Sequence, residues 1–70
     1  MRLAEIQDAI HEAKEVLVHV VIAEANGGTS YHFPVSKVEA RRMVFAQVSA
    51  GKSLEFIASY DADSKVLYIG

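Results

Sequence analysis

Residues 16–35, VLVHVVIAEANGGTSYHFPV, decide the fold. The first eight are apolar apart from His19 and dense in β-branched side chains, which suit a pleated strand and crowd a helix. Asn26-Gly27 follows and tolerates the positive φ angles that a two-residue hairpin turn demands. Beyond the turn, Tyr31, Phe33 and Val35 alternate with Ser30, His32 and Pro34, the period of a strand with two unlike faces. Pro34 has no N–H to give to a ladder, so this second strand is expected at a sheet edge or at its own end. With Asn26 and Gly27 as the loop, Ile22 is expected opposite Tyr31 and Val20 opposite Phe33. Val16, Val18, Val20, Ile22, Tyr31, Phe33 and Val35 then share one face, and that face is expected to be core.

Upstream, Leu3, Ile6, Ile10, Ala13 and Leu17 recur at helical spacing, which predicts an amphipathic helix over roughly residues 2 to 15. Its other face carries Glu5, Asp8, Glu12 and Glu15. Downstream, Ser36 can cap a second helix with Glu39 three residues on, and the spacing of Ala40, Met43, Val44, Gln47 and Val48 carries that helix from Lys37 to Ala50. Leu54, Phe56, Ala58 and Tyr60 alternate with Glu55, Ile57, Ser59 and Asp61. Asp61-Ala62-Asp63-Ser64 is turn chemistry, and Val66 to Ile69 forms the return strand. The expected fold is α+β with the order α-β-β-α-β-β, a four-stranded antiparallel sheet made of two hairpins with both helices on one face.

Seventy residues make a single domain, 1–70, and a chain so short buries only about 60% of its unfolded surface. Without cysteine it has no disulfide or thiolate metal site to compensate, which leaves oligomerisation as the expected source of extra stability. The 51% hydrophobic content points the same way. A net charge of -2 disfavours nucleic acid as a partner. The acids among the first fifteen residues leave no signal-peptide pattern, and the apolar run from Val16 to Ala23 is too short to span a bilayer; a cytoplasmic location and no membrane partner are expected.

Motifs of catalysis are weak. Gly51-Lys52-Ser53 matches the tail of a phosphate-binding loop, yet Ala46 stands where its first glycine belongs. The motif also follows a helix instead of opening one. Gly51 is better read as the left-handed residue that ends the helix. The serines mostly occupy cap and turn positions, and no nucleophile elbow is present. His19 and His32 are expected on one face of the hairpin, diagonally offset by about 7–8 Å, with no acid of the hairpin on that face and Glu55, Ser59 or Asp61 in reach only if the two hairpins are adjacent. His11 lies among the acids of the first helix. No catalytic residue, cofactor or metal is assigned, and the protein is expected not to be an enzyme. Lys37, Arg41, Arg42 and Lys52 form the basic set that would contact phosphate if nucleic acid were bound.

The informative feature is the sheet face turned away from the helices. Leu17, His19, Val21, His32, Pro34, Ile57, Val66 and Tyr68 fall there with Glu55, Ser59 and Asp61, half apolar where one wet face should be polar. Such a patch marks an interaction surface. Self-association is expected through Val21, Ile57, Val66, Tyr68, His19 and His32, with a two-fold dimer as the simplest closed form. Glu5, Asp8, Glu12 and Glu15 would meet a protein partner. The functional expectation is a non-enzymatic protein-binding module, an inhibitor or accessory factor of the anti-defence or toxin-neutralising type, carried by phage or plasmid. The alternatives are a small nucleic-acid binder, or a ligand-binding oligomer whose intersubunit site includes His19, His32 or Tyr31.

Overall fold

The computed structural model describes residues 2–24 and 27–70. Helix α1 spans Leu3–Glu12, strands β1 and β2 span Glu15–Glu24 and Gly27–Pro34, and helix α2 spans Lys37–Ser49. A single 3-10 turn, Leu54–Phe56, leads into β3, Ala58–Asp61, and β4, Val66–Ile69. The α+β order is as expected, with one correction. The sheet runs β2-β1-β4-β3 and is mixed: both hairpins are antiparallel, but the central pair, β1 and β4, is parallel, with Val16 opposite Leu67 and Val18 opposite Ile69. Alternation of apolar and polar residues specifies faces and is silent on the direction of a neighbouring strand.

Both helices cover one face of this sheet. Ile6, Ala9 and Ile10 of α1 and Ala40 and Val44 of α2 close over Val16, Val18, Ala58, Leu67 and Ile69, all buried. The junctions have clear causes. Ser36 Oγ accepts from the Glu39 N–H at 3.1 Å and starts α2. At its end Gly51, with φ +84°, donates to the Val48 carbonyl while Lys52 N–H donates to Gln47 O, each at 3.0 Å, the paired bonds of a Schellman stop. AGKS therefore closes a helix, and its lysine faces no phosphate cradle.

Three expectations fail on local geometry. Helix α1 ends at Glu12, so Glu15 leaves the helical acidic row and opens β1 opposite Val66. The main chain is turned there by the Lys65 carbonyl, which accepts from the N–H groups of Lys14 and Glu15 at 2.8 and 3.4 Å. Leu54 and Phe56 lie in the 3-10 turn instead of a strand, which carries Ile57 into the core at 0% exposure. The first hairpin is also shifted by two residues. Val20 faces Tyr31 and Ile22 faces Thr29, because the ladder closes at Glu24–Gly27; the turn expected at Asn26 and Gly27 lies partly outside the described residues. A two-residue shift preserves which side chains share a face.

A further correction concerns burial. Of the hairpin face expected to be core, Val16 and Val18 are buried and Val35 is half-buried, but Val20, Ile22, Tyr31 and Phe33 are exposed. β1 pairs with β4 only over Glu15–Val18. Its remaining six residues continue with β2 alone, an arm of about 20 Å at strand rise. The molecule is accordingly extended, 38 × 28 × 19 Å.

Candidate functional site

The arm and the sheet face behind it form the candidate site. On the side away from the helices β1 contributes Leu17, His19 and Val21, and β2 contributes Ser30, His32 and Pro34. Tyr68 of β4 stands beside Leu17, and Ser59 of β3 stands beside Tyr68. Val21 is 63% exposed and is seated against Gly28, where a Cβ would come within 3.2 Å of its Cγ1. On the opposite side of the arm Tyr31 and Phe33 lie with ring centres 6.0 Å apart, next to Val20 and Ile22. Apolar side chains thus lie on both faces of this two-stranded ribbon.

The histidines are closer than expected. His19 and His32 are directly opposite in the ladder, with no diagonal offset, and their rings meet edge-on with centres 4.8 Å apart. The ring of Tyr68 stands edge-on to His32 at 5.6 Å. Next to this aromatic trio an open depression of about 220 Å³ is lined by His19, Glu55, Phe56, Ser59, Tyr68 and Gly70. Among the described residues no group of three or more His, Cys, Asp or Glu side chains converges on one point.

The six residues expected to self-associate separate into two sets. Val21, His19 and His32 are exposed and contiguous, and Val66 and Tyr68 continue the same face half-buried. Ile57 does not belong with them, since the 3-10 turn places it among the core side chains. Glu5, Asp8 and Glu12 are exposed along α1, while Glu15 lies on the reverse face of the sheet. The basic set is dispersed. Lys37 Nζ donates to the His11 carbonyl and so ties α2 to the end of α1; Lys52 Nζ donates to Gly70 O at 3.3 Å. Arg41 borders a small cleft with Gln7, Ile10, Val44 and Phe45.

Sequence reasoning missed the exposed arm face of Val20, Ile22, Tyr31 and Phe33. A signal was present: β1 is ten residues long and β4 only four, so a shared ladder could not cover both halves of the first hairpin. No helix among the described residues is long and apolar enough to cross a membrane. Comparison with known proteins finds no matching family, and no curated protein or solved structure that is significantly similar.

Proposed function

We propose that the chain is a non-enzymatic protein-binding module that self-associates through the reverse sheet face and the arm, and acts as an inhibitor or accessory factor on a larger protein. The observation that carries this reading is the arm itself. Val20, Val21, Ile22, Tyr31 and Phe33 are each at least 36% exposed on one projecting ribbon. Fully burying an aliphatic or aromatic side chain of this size is worth about 1.5–3 kcal/mol, so a ribbon of five has a strong drive to be covered. Exposed edges of this length are normally blunted by charge, and β2, from Gly27 to Pro34, carries no Lys, Arg, Asp or Glu. The exposed acids Glu5, Asp8 and Glu12 on α1 remain available to a basic surface of the larger partner once the sheet side is occupied.

The test is solution mass by light scattering over a hundredfold range of concentration, for the native chain and for Val21→Asp. The native chain is expected as a dimer or larger. The variant is expected to keep its secondary structure and to associate at least tenfold more weakly, because a carboxylate would be buried without a partner. A native chain that stays monomeric throughout, or a variant of unchanged mass, removes the reading.

A further inference from the structure

We propose that His19 and His32 are half of a zinc site that a second copy of this chain completes. The inference rests on the reading of the reverse face as a self-associating surface, and adds to it a ligand and an axis.

The register places the two imidazoles directly opposite each other on adjacent strands, both exposed, with ring centres 4.8 Å apart. Two imidazoles bound to one tetrahedral zinc, with metal–nitrogen distances of about 2.0–2.1 Å, have their ring centres about 5 Å apart. The pair therefore needs rotation of side chains and no movement of strands to share an ion. The Tyr68 ring, one strand beyond His19, also stands edge-on to His32 at 5.6 Å and packs against the pair. Leu17, Val21 and Pro34 surround the pair on the same face and would exclude water from a bound ion. Of the carboxylates on this side, Glu15 and Asp61 stand at the far end of the ladder, level with Val66, while Glu55 lines the depression beside His19 without joining the pair in a group of three.

Two ligands do not make a structural zinc site, which takes four. Among the described residues no third ligand joins the pair. A two-fold axis through the ion supplies the missing ligands without any further residue type, because an isologous interface sets each side chain against its own copy. The resulting set is four neutral imidazoles in tetrahedral array, a donor type and geometry that suit Zn2+ better than the square-planar preference of Cu2+ or Ni2+. This completes the occupant of the face as a second copy. Linkage then requires that zinc tighten dimerisation and that dimerisation tighten zinc binding by the same factor.

The experiment uses the untagged full chain. Zinc binding is followed by calorimetry, and mass by light scattering with EDTA or with added Zn2+, for the native protein and for His19→Gln and His32→Gln. Expected are one Zn2+ per two chains, a dimer tightened at least tenfold by zinc, and a loss of zinc affinity of at least a hundredfold in either variant. Co2+ in place of zinc is expected to give the intense visible bands of a tetrahedral site. One zinc per chain, binding without a change in dimerisation, or variants that bind as the native chain does would each overturn the proposal. Association in EDTA that Val21→Asp abolishes and zinc leaves unaltered would overturn the zinc site alone. A monomer both in EDTA and in zinc would overturn the self-associating reading as well.

Discussion

The two ends of β1 carry the same kind of residue and meet different fates. Val16 and Val18 are buried under α1 and α2; Val20 and Ile22, on the same face and two and four residues further on, are exposed. Val18 has β4 on one side and β2 on the other, whereas Val20 has β2 alone. Alternation tells a side chain which way to point, and only the length of the covering elements tells it whether it will be covered. The packed half is a core closed over by two helices, while the arm is a surface built from core-type residues.

This contrast has a direct thermodynamic consequence. Leu67→Ala, in the packed half at 0% exposure, is expected to cost about 3 kcal/mol, within the range for truncating a buried leucine. Ile69→Val, a milder change in the same cluster, should cost about 1 kcal/mol and keeps the comparison measurable if the alanine variant fails to fold. Ile22→Ala in the arm should cost less than about 1 kcal/mol in dilute protein treated with EDTA. Urea midpoints at low concentration decide it. An arm variant as damaging as Leu67→Ala would mean that the arm is already covered within one chain, and the contrast would collapse.

Much of the packed half was legible in the sequence because each of its signals is local. Ser36 with Glu39 starts α2, Gly51 stops it, and Asp61 to Ser64 turns β3 into β4. Ile6, Ile10 and Ala13 of the helical row and the alternating Leu67 and Ile69 all arrive in the core. What was not legible depended on the neighbour. The parallel pairing of β1 with β4 follows from how α2 carries the chain across, which no local pattern encodes. The withdrawal of Ile57 follows from one 3-10 turn after Ser53. At the candidate site the shared face of His19 and His32 could be read from parity, but their direct opposition needed the register.

The packed half also contains a defect that the comparison predicts should be removable. Gln47 lies on the inner side of α2, and its Oε1 is buried with no hydrogen-bond partner among the described residues. An unpaired buried acceptor costs about 1–3 kcal/mol, so Gln47→Leu is expected to stabilise the monomer by about 1 kcal/mol without altering its association. A fall in the urea midpoint would show that the oxygen is satisfied. A change in mass would show that α2, and not the sheet, takes part in the interface.

The smallest expected effect separates the halves by pH. In the packed half the Ser64 hydroxyl and the main-chain N–H groups of Ser64 and Asp63 hold the exposed Asp61 carboxyl below its ordinary range. A carboxyl depressed on folding adds stability that is fully present above its unfolded pKa and is lost as pH falls through its lower, folded value. Asp61→Asn is therefore expected to lower stability slightly near neutrality and to flatten the acid limb of the stability curve, the two proteins converging at the lowest pH. The turn it holds sets Asp61 opposite Val66, so the loss belongs to the β3–β4 hairpin, next to the β1–β4 seam, and should leave the arm's association untouched. If thermal unfolding from about pH 7 to about pH 2 gave parallel curves for the two proteins, the carboxyl would not be anchoring this turn. The register of the seam would then rest on the Lys65 carbonyl and its bonds to Lys14 and Glu15.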